Sequence, residues 1–292
     1  MQISEKAYAK LNISLDVSKP RDDGFHDMIM IMQSVSLCDD ITISLNPGGA
    51  SGKISVSSNV RYIPNDERNL AFKAAGIYLK AIGRENEGLH IAMKKRIPVG
   101  AGMAGGSSDA AAVLRALNSH YKALSPGELL ELSGKVGSDV PFCVLCGTAL
   151  AEGRGEILTP LKELPECYFA ICKPSFSIST PELFNALDKI KLRAHPDTPG
   201  IIDAINSQSL PQICRRMYNV FEDVPDRRLR VVSEIKRKLT DGGAVSAIMT
   251  GTGSAVFGLF DNEDAAKAVC PGLEKEYGFC VSAVPVGKQL DI

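Results

Sequence analysis

Four glycines and two serines lie directly ahead of a helix-forming run, and together they suit a phosphate. The segment is Pro98-Val-Gly-Ala-Gly-Met-Ala-Gly-Gly-Ser-Ser-Asp109, and an alanine-rich run follows at 110–118. Glycine lets the backbone approach a ligand closely and adopt positive φ. The free N–H groups at the start of a helix, with the helix dipole behind them, attract negative charge. The sequence therefore predicts an anion site here, with phosphate as the favoured occupant.

Two better-known phosphate-binding patterns fit this segment less well. The spacing Gly100-x-Gly102-x-x-Gly105 matches the dinucleotide fingerprint, but that fingerprint requires a buried strand leading directly into the loop. Here residues 89–93 alternate between apolar and polar, and the basic tripeptide 94–96 intervenes. A Walker loop needs Ser or Thr after its Gly-Lys pair, whereas Gly134-Lys135 is followed by Val136. The pattern disfavours a dinucleotide site and excludes a Walker loop.

Eight cysteines are scattered along the chain, and one group of them loosely matches a zinc site. Cys143 and Cys146 have the spacing of a zinc-binding pair, with Cys167 and Cys172 further on. The second pair is spaced too widely and encloses the apolar run 168–171. Scattered cysteines in a long chain are also unlike the dense disulfide frameworks of small secreted domains. We expect buried free thiols, and no residue is assigned as a metal ligand.

Length and charge limit the class of protein. At 292 residues the chain is long enough for two lobes, and its 45% hydrophobic and 23% charged residues are ordinary for a folded protein. The net charge of −1 provides no general attraction to nucleic acid or to a membrane surface. No apolar run approaches the roughly 20 residues needed to cross a bilayer. We expect a cytoplasmic protein without a nucleic-acid or membrane partner.

Alternating strands mixed with helices favour an α+β layer architecture over a doubly wound parallel sheet. Residues 9–17 predict a strand whose polar face carries Lys10 and Asn12, and residues 41–45 and 54–56 predict a β-hairpin with a long turn. Glycine-rich residues 152–156 are the expected hinge between the lobes. The other predicted strands cover 89–93, 168–172, 247–250, 254–260 and 280–285, and the other predicted helices cover 69–82, 128–133, 181–190, 227–239 and 262–270.

Three separated segments, in this order, resemble one superfamily of small-molecule kinases. They are Ala7-Tyr-Ala-Lys-Leu-Asn12, the glycine loop with the start of its helix at 98–112, and Thr250-Gly-Thr-Gly-Ser-Ala-Val-Phe257. The superfamily is that of galactokinase, homoserine kinase, mevalonate kinase and phosphomevalonate kinase, the GHMP kinases. The resemblance implies an α+β, two-lobed GHMP kinase fold. A ribosomal-protein-S5-like lobe at 1–158 would bind ATP and carry out catalysis, and a ferredoxin-like lobe at 159–292 would bind substrate.

Within this superfamily, the details are similar to the family of 4-diphosphocytidyl-2-C-methyl-D-erythritol kinases. The matching segments are Lys10-Leu-Asn12, Arg21-Asp-Asp-Gly-Phe-His26, the Gly-Gly-Ser-Ser-Asp end of the loop, Gly137-Ser-Asp-Val-Pro-Phe142 and Gly153-Arg-Gly-Glu156. The similarity is weakest between residues 185 and 240. The sequence departs from the family's pattern in two places: Phe25 replaces a tyrosine, and Met103-Ala104 replaces a more common Leu-Gly.

This resemblance implies a reaction and its cofactors. ATP, with Mg²⁺, would phosphorylate the 2-hydroxyl of a cytidine diphosphate methylerythritol in the non-mevalonate route to isoprenoid precursors. A homoserine or mevalonate kinase is disfavoured because Asp23-Gly-Phe-His26 suits a flat base. A non-catalytic nucleotide-binding regulator is disfavoured because it would need neither Lys10 nor Asp139. The resemblance leaves monomer and homodimer open.

The resemblance also assigns the nucleotide site. Backbone N–H groups of the loop would hold the β- and γ-phosphates, a hydroxyl of Ser107 or Ser108 would reach a phosphate oxygen or Mg²⁺, and Asn69 and Leu70 would border the adenine. The turn at 251–253 would support the loop. The nucleotide-binding residues expected in the loop are Pro98, Val99, Gly100, Ala101, Gly102, Met103, Ala104, Gly105, Gly106, Ser107 and Ser108.

Six residues complete the site that the family implies. Asp139 would act as the catalytic base, and Lys10 would pair with it and offset charge on the transferred group. Taken alone, such an aspartate is more often a helix cap, and such a lysine is ordinary solvated surface. Four further residues would contact the substrate: Asn12 by a hydrogen bond, Phe25 and His26 by stacking on the cytosine and bonding its edge, and Thr180 from the second lobe.

Overall fold

The structure, a computed structural model, describes residues 1–21, 24, 26–46, 52–192 and 194–290. Within these residues, a seven-stranded and a four-stranded sheet pack with helices, which confirms the α+β class. The elements of the first half are β1 (Gln2–Pro20), β2 (His26–Leu45), β3 (Ile54–Ser58), α1 (Leu70–Ala81), β4 (Leu89–Lys94), α2 (Gly105–Tyr121), α3 (Pro126–Gly134), α4 (Val140–Leu145), β5 (Thr148–Glu152) and β6 (Ile157–Pro160). The elements of the second half are β7 (Tyr168–Cys172), α5 (Thr180–Leu187), α6 (Thr198–Asn206), α7 (Leu210–Arg216), β8 (Tyr218–Asn219), a 3-10 turn (Val220–Asp223), α8 (Leu229–Asp241), β9 (Ser246–Met249), β10 (Val256–Phe260), α9 (Glu263–Ala268), α10 (Cys270–Tyr277) and β11 (Cys280–Ala283).

The larger sheet is built on the long antiparallel pair β1 and β2. Its strand order is β3-β4-β2-β1-β8, and β5 pairs with β2 as well as with β6. The pairing of β1 with β2 shifts register between Asn12 and Ser14, a bulge that redirects the neighbouring side chains. Lys10, Asn12 and Ser14 are all buried, so the polar face predicted for β1 is turned into the protein and not toward solvent.

Helix α2 lies at the centre of the first half. Its residues from Ser108 to Leu117 are all buried, including the polar Ser108, Asp109 and Arg115. Helices α1 and α4 and strand β1 pack around it. The start of α1 is set by Asn69, whose Oδ1 accepts a hydrogen bond from the Ala71 N–H at 2.9 Å.

The predicted hairpin between residues 41–45 and 54–56 is wrong. Strand β4 lies between the two strands, antiparallel to β2 and parallel to β3. Alternation identifies a strand with one buried face, but it does not identify the neighbour with which that strand pairs.

The predicted hinge at 152–156 is also wrong. Glu152 pairs with Ile157, and the Gly155 N–H donates to the Glu152 carbonyl at 3.0 Å, so the segment is the turn of the β5–β6 hairpin. The chain leaves the larger sheet only after Pro160. A domain boundary at 158/159 stays a prediction, and it falls within β6.

Two segments of the second half join the larger sheet. Strand β8 pairs in parallel with β1. Residues 284–289 return to β2, where the Ser36 N–H donates to the Val284 carbonyl at 2.9 Å and the Val286 N–H donates to the Ser34 carbonyl at 2.9 Å. Both halves of the chain therefore contribute to the sheet that carries the site.

The smaller sheet is antiparallel, with the order β11-β7-β10-β9. Its four strands match the predicted ones, whereas α4, α6, α7 and α10 had no clear signal in the sequence. All eight cysteines are free and seven are buried, as expected. The described side chains form no group of three or more His, Cys, Asp and Glu suited to a metal ion. None of the described helices is both long and apolar enough to cross a membrane.

Candidate active site

One cavity of about 490 Å³ brings together most of the residues singled out from the sequence. Of the predicted residues, Lys10, Asn69, Leu70, each loop residue from Pro98 to Ser107, Asp139 and Thr180 line its walls. Asn12, His26 and Ser108 lie behind or beside those walls, and Phe25 lies outside the described residues. Strand β1, the glycine loop, α2 and the second half of the chain all contribute.

The glycine loop is held by close backbone packing against the turn at 251–253. Gly102 has a φ of 77°, and a Cβ atom there would lie 2.3 Å from the carbonyl oxygen of Thr250. No side chain fits at this position. The Ala255 N–H also donates to the Ala101 carbonyl at 3.2 Å. The expected support of the loop therefore consists of direct backbone contact between the two lobes.

Ala104 adopts a left-handed backbone conformation, with φ 56° and ψ 31°, directly before α2. This conformation costs a residue with a Cβ atom on the order of 1 kcal/mol, which glycine would not incur. It turns the chain so that Gly105, Gly106 and Ser107, which carry the first free N–H groups of α2, line the cavity. The positive end of the helix dipole is thus directed at the cavity.

The two serines of the loop have different surroundings. Ser108 is buried, and its hydroxyl donates to the Tyr8 carbonyl at 2.7 Å, which ties α2 to β1. Ser107 lines the cavity. Of the two hydroxyls proposed to reach a phosphate, that of Ser107 is the one placed to do so.

A buried ion cluster that sequence reasoning missed lies behind the loop. Lys95 Nζ donates to the carboxylate of Asp39 and, at 2.6 Å, to Oδ2 of Asp109, and it approaches the Gly105 carbonyl at 3.4 Å. Asp109 Oδ1 is buried and has no hydrogen-bond partner among the described residues. Burial raises the pKa of Asp109 to about 8, with Asp39 adding to the rise and Lys95 opposing it. Two carboxylates thus share one ammonium.

Lys10 is 5% exposed, and its Nζ donates to Asn12 Oδ1 at 2.7 Å. Lys10 and Asp139 line the same cavity, but in the described chain no ion pair within 4 Å joins them. Asn12 is fully buried and its amide contacts Lys10, Thr250 and Met30. A direct bond from Asn12 to substrate therefore stays a prediction, and its observed contact is with Lys10.

Asp139 immediately precedes α4 but does not cap it. Its backbone has φ −81° and ψ −11°, and its carboxylate makes no capping hydrogen bond. Nor does that carboxylate form an ion pair with another described side chain. The β5–β6 turn lies beside it, since a Cβ atom on Gly155 would be 3.9 Å from Asp139 Oδ1. The carboxylate is therefore free to accept a proton from a bound ligand.

Aromatic rings form a stack at another part of the site. The ring of His26 lies over that of Phe184, with centroids 5.0 Å apart and planes at 34°. Phe184 meets Phe221 edge-on, with centroids 4.8 Å apart, and both phenylalanines line the cavity. His26 Nε2 is 2.8 Å from Asp188 Oδ1. Phe184 was missed because one phenylalanine in a short amphipathic helix has no local mark of function.

The remaining predicted contacts also lie at the cavity. Thr180 Oγ1 is 2.9 Å from Thr252 Oγ1, and both residues line it. Asn69 uses its amide to cap α1 and to donate to the Pro64 carbonyl at 2.7 Å. Its neighbour Leu70 supplies apolar surface beside Ile63, which suits a flat purine ring.

Comparisons with known proteins show the family of the chain. Residues 69–147 match the family of GHMP kinases N terminal domain, and residues 201–278 match that of GHMP kinases C terminal. The curated 4-diphosphocytidyl-2-C-methyl-D-erythritol kinase of Geobacillus thermodenitrificans is 43% identical over 281 residues, covering 96% of this chain and 94% of that protein. The protein of the same name from Alkaliphilus metalliredigens is 42% identical over 94% of both chains.

Solved structures give the same result. A crystal structure of 4-(cytidine 5'-diphospho)-2C-methyl-D-erythritol kinase has a TM-score of 0.80 and 31% identity, covering 98% of this chain and 100% of that one. Homoserine kinase from Cytophaga hutchinsonii has a TM-score of 0.77 at 19% identity, covering 99% of this chain and 96% of that one, and so shares the fold.

The fold is that of a GHMP kinase. Within that class, the chain belongs to the family of 4-diphosphocytidyl-2-C-methyl-D-erythritol kinases.

Proposed function

We propose that this enzyme transfers the γ-phosphoryl group of ATP to the 2-hydroxyl of 4-diphosphocytidyl-2-C-methyl-D-erythritol, in the non-mevalonate route to isoprenoid precursors. The observation that carries the proposal is that one cavity joins the N-terminus of α2, Lys10, Asp139 and the aromatic face of Phe184. These features suit, in turn, a triphosphate, a transferred phosphoryl group, a reacting hydroxyl and a nucleobase. The 43% identity to a kinase of this name supports the same substrate.

Phosphoryl transfer depends mainly on alignment and on neutralising charge. Asp139 takes the proton of the 2-hydroxyl while the new P–O bond forms and the bond to the ADP leaving group breaks. Lys10 donates hydrogen bonds to the transferred group, whose negative charge it offsets. The N–H groups of Gly105, Gly106 and Ser107 hold the phosphates that remain on ADP.

Mg²⁺ fits the oxygen donors of this site. Ser107 would offer the ion a hydroxyl on the cavity, a hard oxygen ligand of the kind that Mg²⁺ uses together with substrate phosphates. The Asp139 carboxylate stays free to act as the base. When bound, the ion would neutralise negative charge on the phosphates.

The cytosine base is held at the His26–Phe184 stack. The face of Phe184 stacks on the ring, and His26, oriented by Asp188, bonds the polar edge of the base. Phe25 lies outside the described residues, and a contact between it and the cytosine stays an expectation from the family resemblance. Homoserine and mevalonate have no ring to use this stack, so we expect the enzyme to reject them.

We expect the enzyme to work in the cytoplasm, where ATP is supplied. A single chain already supplies every residue used above, so the reaction is compatible with either a monomer or a homodimer.

The test is ADP release from Mg-ATP by the purified protein with the cytidylated erythritol, homoserine or mevalonate in parallel. Only the first should stimulate release. Stimulation by homoserine or mevalonate, and not by the cytidylated compound, would overturn the assignment. Asp139→Asn should lower kcat by about 100-fold or more, since general-base catalysis contributes at least that much. Asp264→Asn, on the exposed first turn of α9, is the matched control and should keep wild-type turnover.

A further inference from the structure

Thr250 reaches from the end of β9 to the strand that carries Lys10. Thr250 is fully buried, and its Oγ1 accepts a hydrogen bond from the Asn12 N–H at 3.0 Å. The same Oγ1 lies 3.2 Å from Asn12 Oδ1 and 3.5 Å from the Gly102 carbonyl. A hydroxyl has a single proton to donate, and the shorter of these two contacts directs it to Asn12 Oδ1.

This bond determines which end of the Asn12 amide faces Lys10. Asn12 Oδ1 accepts from Lys10 Nζ at 2.7 Å, while Asn12 Nδ2 points to the weak acceptor Met30 Sδ at 3.3 Å. The two ends of an amide have nearly the same shape, so the surrounding hydrogen bonds decide its orientation. If the amide turned over, its NH₂ group would face both the Lys10 ammonium and the Thr250 hydroxyl.

We infer that Thr250 is a positioning residue for Lys10 and acts on it through the Asn12 amide. The inference rests on the proposed kinase function. Of the three N–H donors of Lys10, Asn12 takes one, and the other two are left for the cavity. Thr250 itself is held in place because Asn219 Nδ2 donates to the carbonyls of Met249 and Gly251, both at 2.8 Å. A side chain of the second lobe thus orients the ammonium of the first.

Thr250→Val removes the hydroxyl and keeps the shape. We expect kcat to fall by up to about tenfold, the rate equivalent of one hydrogen bond between neutral groups. The KM for ATP should stay within about twofold, because the glycine loop makes the main phosphate contacts. Thr250→Ser, which keeps the hydroxyl, should restore most of kcat. If Thr250→Val does not fold, Thr250→Cys keeps the volume with only a weak donor and serves the same comparison.

Thr148→Val is the matched control. Thr148 is 2% exposed, and its hydroxyl donates to Gln33 Oε1 at 2.6 Å, so the same substitution breaks the same kind of bond away from the cavity. Its kcat should equal that of the wild type even if its stability falls.

A double-mutant cycle separates this role from general damage. Asn12→Ala should lower kcat, and adding Thr250→Val should lower it little further, because both act on the same lysine. Fully additive losses, or a wild-type kcat in Thr250→Val, would overturn the inference. A wild-type protein that does not phosphorylate the cytidylated substrate would instead overturn the proposed function.

Discussion

The Asp39–Lys95–Asp109 cluster makes the stability of the protein depend on pH. Burial raises the pKa of Asp109 from its ordinary 3.8 to about 8 in the folded state. Between these two values the folded protein holds a proton that the unfolded chain releases, so stability must fall as pH rises. The stabilisation that protonated Asp109 provides is complete below about pH 4. It decreases as the pH rises and is lost once the pH passes about 8. From pH 6 to pH 8 the loss amounts to about 2 kcal/mol.

Asp109→Asn removes this titration while keeping the shape of the side chain. The amide oxygen can still accept from Lys95, and the variant resembles protonated aspartate, so its contribution should not change with pH. The free energy of unfolding of both proteins, from urea titrations at about pH 6, 7 and 8, is the measurement. The wild type should lose about 2 kcal/mol relative to the variant across that range. Parallel curves for the two proteins would refute the argument.

The control for this experiment is Asp66→Asn. The Asp66 carboxyl bonds the exposed Arg68, which lowers its pKa to about 2, so it does not titrate between pH 6 and pH 8. The wild type and this variant should therefore show parallel stability curves in the same range.

Two further predictions concern the loop and the aromatic stack. Ala104→Gly should raise the free energy of unfolding by up to about 1 kcal/mol. The reason is that relief of the left-handed backbone strain exceeds the entropy that glycine adds to the unfolded chain. A urea titration that shows destabilisation would contradict this. Phe184→Ala should raise the KM for the cytidylated substrate about tenfold, the equivalent of one lost ring stack, and leave the KM for ATP unchanged. Initial-rate kinetics with each substrate varied in turn would check it, and equal increases in both KM values would argue against a role in base binding.

Features with a local cause could be predicted from the sequence. The glycine loop before α2, helix α1 and strand β4 each depend on residues within a few positions of one another. The hairpin and hinge predictions failed because alternation and glycine content do not specify a partner strand. The same glycines that suit a hinge also suit the tight β5–β6 turn.

The supporting parts of the site could not be predicted, because they join distant parts of the chain. Asn12 meets Thr250 across 238 positions, and Lys95 meets Asp39 across 56. On a strand, a polar residue such as Asn12 is expected to face solvent or ligand. Only the tertiary structure shows that a threonine from the other lobe covers it.

The return of residues 284–289 to the larger sheet has a consequence for folding. The Val284 N–H donates to the hydroxyl of Ser36, 248 positions earlier, at 3.0 Å, and the Gln289 N–H donates to the Leu145 carbonyl at 2.9 Å. During synthesis, almost the whole chain must therefore be made before residues 34–36 of β2 can pair with residues 284–286. Contacts of such long range slow folding. They also join the two lobes, because the larger sheet is completed by backbone from both.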